Sequence, residues 1–116
     1  MRRGDIHLVD FEPARGAEVD KERPAVIVSN DVSNAVAGRL GRGIVTVVPL
    51  TSNVARVLPF QVLMPANRTG LRRDSKAQGE QIRSVDFKRV GERIGLVPHA
   101  LLAKLEEGIR IHLDLG

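Results

Sequence analysis

The sequence predicts a mainly β fold with some α-helix, in the form of an antiparallel barrel or sandwich. The first observation is the length: a chain of 116 residues buries roughly two-thirds of the surface that its unfolded form would expose, enough for one core. The second is a series of short apolar stretches bounded by Gly, Pro, Asn or Asp, with which helices do not alternate regularly. We therefore expect residues 1–116 to form a single domain.

Five stretches are predicted to be strands. The second is a dense β-branched run, typical of a strand that packs on both faces. The third contains Pro49, which cannot donate a ladder hydrogen bond and marks a bulge or a strand about to leave the sheet. The predicted strands are Asp5–Phe11, Pro24–Ser29, Gly43–Ser52, Phe60–Pro65 and Glu80–Phe87.

Two segments are predicted to be helical. Asp31–Leu40 begins at an Asn-Asp pair suited to an N-cap and ends at Gly38 or Gly41. Pro98–Leu113 starts with a proline suited to the first turn, and Gly108 weakens it without breaking it. An apolar stripe should place this second helix on the barrel, and its members are Leu102, Leu105, Ile109 and Leu113.

Composition favours a nucleic-acid partner. The formal charge is +4, and 14 of the 18 basic residues are Arg, whose planar fork suits phosphate. The chain has no Trp or Tyr, which speaks against base stacking on aromatic rings. The absence of Cys and the scattered positions of His7, His99 and His112 predict no metal site and no cofactor.

No segment approaches a membrane span. The basic start of the chain looks briefly like the beginning of a signal peptide, but Asp5, His7 and Asp10 interrupt any apolar run behind it. Together with the lack of cysteine, this leads us to expect a cytoplasmic protein that has no membrane partner.

Strand geometry indicates one candidate site. If Pro24–Ser29 and Gly43–Ser52 pair antiparallel, Arg23 comes close to Thr51 and Ser52. The backbone of an Arg that precedes Pro is held extended, and an Arg fork beside a hydroxyl at the rim of a sheet suits a phosphate. The alternative is that Arg23 forms a surface ion pair and Thr51 merely begins a turn. The candidate partners of this ion pair are Glu18, Asp20 and Glu22.

Two other polar segments have open interpretations. Residues 12–22 are either a charged loop that closes over a substrate or a solvated hairpin loop. On a strand, Glu80 and Gln81 would project from opposite faces, and one such group could act as a general base or contact a nucleobase. The alternative is an exposed strand face on which Arg83 pairs with Asp86 or Asp74.

Several short motifs occur in one order along nearly the whole chain. They are Arg3-Gly4-Asp5-Ile6, Val9-Asp10-Phe11-Glu12-Pro13, Gly16-Ala17-Glu18, Arg23-Pro24-Ala25-Val26-Ile27-Val28-Ser29, Asn34, Val48-Pro49-Leu50-Thr51-Ser52, Asp74-Ser75 and Glu80-Gln81-Ile82-Arg83-Ser84-Val85-Asp86. In this order the set strongly resembles the MazF/PemK/Kid family, the toxin half of bacterial type II toxin–antitoxin pairs.

This resemblance implies an SH3-like antiparallel β-barrel with a short helix and a C-terminal helix, in a homodimer whose interface carries the substrate groove. It also implies a metal-independent, sequence-specific endoribonuclease that acts on single-stranded RNA, mostly messenger RNA. The 2′-OH of the RNA attacks the neighbouring phosphorus, leaving a 2′,3′-cyclic phosphate and a 5′-OH. The implied partner is a MazE-like antitoxin with a DNA-binding end and an acidic tail that lies in the RNA groove and at the dimer interface.

The resemblance also implies residue roles. Arg23 and Thr51 would hold the scissile phosphate, and Glu18 and Glu80 match acidic positions near the groove. Relatives carry a Ser or a catalytic His where this chain has Ala17, so a His-based acid–base scheme does not apply. The expected RNA-binding residues are Arg15, Lys21, Ser52, Asn53, Gln81 and Arg83.

Two other classes of function are also compatible with the sequence. One is a gyrase-binding toxin like CcdB on the same fold, and the other is a non-catalytic RNA-binding module. The pair formed by Arg23 and Thr51 favours the nuclease, because a toxin that binds a protein has no need of a phosphate site.

Overall fold

The computed structural model describes residues 1–11 and 22–116. In chain order the strands are β1 (Asp5–Asp10), β2 (Glu22–Ile27), β3 (Ile44–Thr51), β4 (Gln61–Met64), β5 (Ser75–Gln78), β6 (Arg83–Asp86) and β7 (Val90–Leu96). The α-helices are α1 (Asp31–Leu40), α2 (Ala66–Thr69) and α3 (His99–Leu113), and 3₁₀ turns cover Gly79–Gln81 and Phe87–Arg89. None of the helices in the described part of the chain is long and apolar enough to span a bilayer.

All strand pairs are antiparallel, in the order β4-β5-β3-β2-β1-β7, with β6 also paired to β3. The prediction of a mainly β antiparallel fold with a short helix and a C-terminal helix is confirmed. The sheet is not a closed barrel, because the path of hydrogen-bonded strands through the described residues ends at β4 and β7 without closing.

Strand β3 changes partner along its length. Residues 44–47 pair with β6, and residues 50–51 pair with β5. Pro49 lies between these two stretches, opposite Ala25 of β2. A proline cannot donate to a ladder, so the junction between two partners is a suitable position for it. Of the two predicted possibilities, no bulge is present in this described stretch, since the register with β2 is regular through Pro49, whereas the strand does change partner here.

Two strands and one predicted boundary differ from the sequence prediction. Strands β5 and β7 were not predicted: β5 has only four residues, and β7 contains Gly91 and Gly95, which are unfavourable in strands. The strand predicted to begin at Glu80 begins at Arg83 instead. Glu80 and Gln81 lie in the preceding 3₁₀ turn, so the prediction that they occupy opposite strand faces is wrong.

Side chains pack on both faces of β2, as its β-branched run predicts. Val26 belongs to one core with Ile6, Val48 and Leu105. Its neighbours on either side belong to a second core that contains Ala25, Ile27, Ala37, Val45, Val47 and Val85. Helix α3 covers the first core. Its predicted stripe holds as far as Ile109, whereas Leu113 is exposed.

Helix α1 is tied to the sheet by polar groups. Asn30 Oδ1 accepts the Ser33 N–H at 2.8 Å, which confirms the predicted N-cap. The buried Asn34 side chain donates to the Ser29 carbonyl at 2.9 Å and accepts from the Ser29 hydroxyl at 2.6 Å. The Arg3 N–H donates to Asp31 Oδ1 at 2.7 Å, and this bond lowers the pKa of the Asp31 carboxyl. The start of β1, the end of β2 and α1 are therefore joined.

The two helical glycines have opposite environments. A Cβ on Gly108 would lie 2.9 Å from the Phe60 carbonyl oxygen, whereas a Cβ on Gly38 would meet nothing within 4 Å. We expect Gly108→Ala to lower the free energy of unfolding by about 1–3 kcal/mol because of overpacking. Gly38→Ala should raise it by roughly 0.5–1 kcal/mol because alanine favours the helix.

Urea denaturation of both variants checks this prediction. Since the two substitutions are chemically identical, Gly38→Ala is the matched control for helix propensity. Stabilisation by Gly108→Ala would show that the close packing of α3 on Phe60 does not constrain this position.

Candidate functional site

The register of β2 against β3 assembles the centre of the site. Ala25 lies opposite Pro49 and Val26 opposite Val48, so the same alignment continued by two residues sets Arg23 opposite Thr51. The predicted antiparallel pairing is confirmed. Arg23, Thr51 and Ser52 line one cavity of about 820 Å³.

The cavity has strongly cationic walls. The described residues that line it include four arginines and a single carboxylate, that of Glu92. The arginines come from three parts of the chain: Arg23 from β2, Arg93 from β7, and the neighbours Arg72 and Arg73 from the segment between α2 and β5. A site of this charge suits an anionic ligand.

Thr51 begins a turn and also faces the cavity. Its Oγ1 accepts the Asn53 N–H at 3.2 Å, and Asn53 Oδ1 accepts the Ala55 N–H at 3.4 Å. A hydroxyl that accepts in this way still has its proton to donate. The two interpretations of Thr51 are therefore compatible, since the turn orients the hydroxyl and does not consume its donor.

The side chain of Arg23 is exposed at the rim of the cavity. Within residues 1–11 and 22–116 it forms no salt bridge with a carboxylate. Of the carboxylates that the ion-pair alternative invokes, Glu18 and Asp20 lie outside the described residues. In the described part of the chain, Arg23 thus lines the cavity without a carboxylate partner.

A braced segment forms the wall that carries Arg72 and Arg73. Asp74 Oδ1 accepts the Ala66 N–H at 2.9 Å, and the Thr69 hydroxyl donates to the Pro65 carbonyl at 2.9 Å. Gly70 ends α2 in the left-handed conformation, with φ 83°. These bonds fix the short segment that leads into the two arginines.

Strand β7 approaches this segment closely through Gly95, where a Cβ would lie 2.5 Å from the Thr69 carbonyl oxygen. On the same strand, Arg93 Nε lies 3.2 Å from Oδ1 of the buried Asp5. His7 Nδ1 lies 2.8 Å from the Gly91 carbonyl oxygen, so this nitrogen carries a proton and donates. The β7 wall is therefore anchored to β1.

Several other described residues that the sequence predicts to be in the site do not line the cavity. Glu80 Oε2 accepts from Gln61 Nε2 at 2.8 Å, and neither Glu80 nor Gln81 is among the described residues that line the cavity. Arg83 stacks on the Phe11 ring at 5.1 Å and forms no salt bridge with an Asp in the described chain. The Asn53 side chain stabilises the turn after β3 by accepting the Ala55 N–H. Four further predicted positions lie outside the described residues: Arg15, Ala17, Glu18 and Lys21.

Sequence reasoning missed the four other charged lining residues: Arg72, Arg73, Glu92 and Arg93. Without β5 and β7 in the prediction, nothing placed these side chains next to β3. The adjacent arginines just after a glycine were the available signal. Across the described ranges the structure contains no group of three His, Cys, Asp or Glu side chains that could hold a metal ion.

Comparison with known proteins identifies the family. Residues 2–113 match the model of the PemK-like, MazF-like toxin of type II toxin–antitoxin systems. The chain belongs to this family. Endoribonuclease MazF9 of Mycobacterium tuberculosis is 59% identical over 115 residues, which cover 99% of this chain and 98% of the relative. Endoribonuclease EndoA of Bacillus subtilis is 30% identical over 116 residues, with 99% and 96% covered.

Solved structures agree with this assignment. A crystal structure of MazE-MazF from Deinococcus radiodurans has a TM-score of 0.79 to this chain at 26% identity, covering 100% of this chain and 97% of that one. The resemblance to the MazF/PemK/Kid family is confirmed in sequence and in fold.

Asp74 provides a test of the braced wall in this MazF-like toxin. Asp74→Ala removes the acceptor for the Ala66 N–H, at a cost of about 1 kcal/mol. Amide exchange in residues 66–73 should therefore become roughly five- to tenfold faster, as measured by hydrogen–deuterium exchange. Asp74→Asn keeps a side-chain oxygen and should exchange like the wild type. Equal exchange in all three proteins would contradict the bracing role.

Proposed function

We propose that this MazF-like toxin is a metal-independent, sequence-specific endoribonuclease that cleaves single-stranded RNA, mainly messenger RNA. The observation that carries the proposal is the position of Arg23 opposite Thr51 at the rim of a cavity with four arginines. The names of relatives support it, since MazF9 and EndoA are endoribonucleases. A polyanionic strand is the ligand that such a cavity suits best.

RNA supplies its own nucleophile. The 2′-oxygen attacks the adjoining phosphorus, so the O2′–P bond forms and the P–O5′ bond breaks, leaving a 2′,3′-cyclic phosphate and a 5′-hydroxyl. The protein must position the phosphate in line, stabilise its developing negative charge and transfer protons. None of these tasks requires a covalent intermediate on the enzyme.

In this mechanism Arg23 and Thr51 both donate hydrogen bonds to the scissile phosphate. The Arg23 guanidinium offers a planar pair of N–H donors to the non-bridging oxygens, and these bonds strengthen as charge develops. Thr51 donates its hydroxyl proton to the same group. This places two donors on one phosphate from two neighbouring strands.

Proton transfer needs a base for the 2′-OH and an acid for the departing 5′-oxygen. We propose Glu18, in the segment directly before β2, as the proton acceptor, because it matches an acidic position near the groove of the family. Glu80 is the weaker choice because its carboxylate binds Gln61. Ala17 has no side chain that can take part.

The proposal includes a homodimer and a cognate MazE-like antitoxin. A crystal structure of MazE-MazF is among the structural relatives, and an acidic antitoxin tail would complement the arginines of the cavity. The proposed place of action is the bacterial cytoplasm, where messenger RNA is translated and where a chain without cysteine needs no oxidising compartment.

The test is an RNA cleavage assay in EDTA with three variants. We expect Arg23→Ala to lower kcat by roughly 10²- to 10³-fold, as the loss of a transition-state donor does. Thr51→Val should lower it by roughly 10- to 100-fold, since a net hydrogen bond to a charged group is worth 1.5–3 kcal/mol. Arg39→Ala removes an equal charge from the exposed face of α1 and should cleave like the wild type.

Each outcome distinguishes a different part of the proposal. Intact RNA with the wild-type protein, both with EDTA and with divalent metal ions present, would contradict the nuclease and favour a toxin that binds a protein. Cleavage that stops on addition of EDTA would contradict only the metal-free mechanism. Equal activity of Arg23→Ala and the wild type would remove Arg23 from the site.

A further inference from the structure

One wall of the cavity carries charge that the chemistry at Arg23 and Thr51 does not use. Arg72 and Arg73 are both exposed and line this wall. In the described chain neither forms a salt bridge. Adjacent like charges repel each other, and an anion bound between them would relieve that repulsion.

The wall is held in place before any ligand arrives. Leu71 packs against the first core, the Gly70 N–H donates to the Ala66 carbonyl at 3.0 Å, and Asp74 holds the start of α2. Gly95 allows the Thr69 backbone to dock on β7. Side chains on a braced segment lose less conformational entropy on binding than those on a free loop.

Arg72 and Arg73 are carried by a different structural element from Arg23. At the end of β3, Thr51 lies opposite Lys76 of β5, and β2 pairs along the other edge of β3. Neighbouring strands are about 4.8 Å apart, so β2 and β5 are separated by roughly 10 Å. Arg23 is therefore anchored on β2, whereas Arg72 and Arg73 are anchored in the segment that leads into β5, and the two sets line one cavity from different elements.

We propose that Arg72 and Arg73 bind a second RNA phosphate, distinct from the scissile phosphate at Arg23, and thereby set the register of the strand in the cavity. This inference rests on the proposed ribonuclease function. RNA fits this wall better than an acidic protein tail, because the same cavity presents the hydroxyl-bearing residues Thr51 and Ser52. Hydroxyls both donate and accept, which suits phosphate oxygens together with ribose 2′-OH groups.

The test compares long and short substrates. Once the cleavage site has been mapped on a long RNA, one long oligonucleotide containing it and the shortest one still cleaved are assayed. The double variant Arg72→Gln/Arg73→Gln should raise KM for the long substrate about tenfold or more, as expected for lost charged hydrogen bonds, with kcat within about twofold of the wild type. The short substrate, which lacks the second phosphate, should show no change.

Salt dependence gives an independent readout. For single-stranded nucleic acid, each phosphate contact contributes about 0.7 to the slope of log affinity against log salt concentration. The double variant should lose about 0.7 from this slope. The matched control, Arg39→Gln/Arg42→Gln, removes the same net charge from exposed positions outside the cavity, and it should retain the wild-type KM.

Three results would overturn the proposal. If kcat falls equally on both substrates, the arginines act at the scissile phosphate. If the control raises KM as much, the effect is one of net charge. If cleavage of the long RNA is unchanged while neutralisation by the antitoxin weakens, the wall binds the antitoxin instead.

Failure of the proposed function is recognised separately. If the wild-type protein does not cleave RNA, binding of the uncut long RNA is measured by fluorescence anisotropy for the wild type, the double variant and the control. Weaker binding by the double variant alone supports the second phosphate contact without cleavage. Equal binding by all three overturns it.

Discussion

The register of β2 against β3 is the constraint on which both fold and site depend. Because side chains alternate along a strand, this register sends Val26 to one core and its two neighbours to the other. A slip of one residue would exchange the two sets and bury the wrong side chains. It would also move Arg23 away from Thr51. Packing of the two cores therefore fixes the relative position of the guanidinium and the hydroxyl, although neither group belongs to a core.

The end of β3 is rigid because it has a partner strand on each edge. Strand β2 pairs along one edge, and β5 meets Leu50 and Thr51 on the other. The hydroxyl of Thr51 is further oriented by the Asn53 N–H. Beyond β5, the turn after α2 rests on β7 at Gly95. Donors on both sides of the cavity thus belong to braced elements, and such preorganisation makes electrostatic stabilisation effective in catalysis.

How much of the fold and of the site could be predicted depends on whether the signal for each element is local in the sequence. The β-branched run of β2 and the Asn-Asp start of α1 are local signals, and both predictions hold. Pairing Arg23 with Thr51 needed only one long-range assumption, the antiparallel contact of two strong strands. Strands β5 and β7 have weak local signals because their short, polar or glycine-containing sequences become strands through their neighbours. Arg72 and Arg73 were missed for that reason, and Glu80 was misplaced because a 3₁₀ turn against the Phe60 backbone ends the pattern that alternation assumes.

The composition also acquires a physical meaning. Fourteen arginines and no Trp or Tyr fit the proposal that RNA is held through guanidinium forks and hydroxyls, with little base stacking. Contacts to phosphate position a strand but do not read its sequence. Affinity from such contacts is shared by every RNA, so it cannot by itself decide which RNA is cut. In the proposed mechanism, selectivity enters at the step where one phosphate is aligned between Arg23 and Thr51, because only a strand whose bases allow that alignment places its 2′-oxygen in line with the bond that breaks. In this proposal, the cavity binds RNA of many sequences but cleaves only the few that allow this alignment.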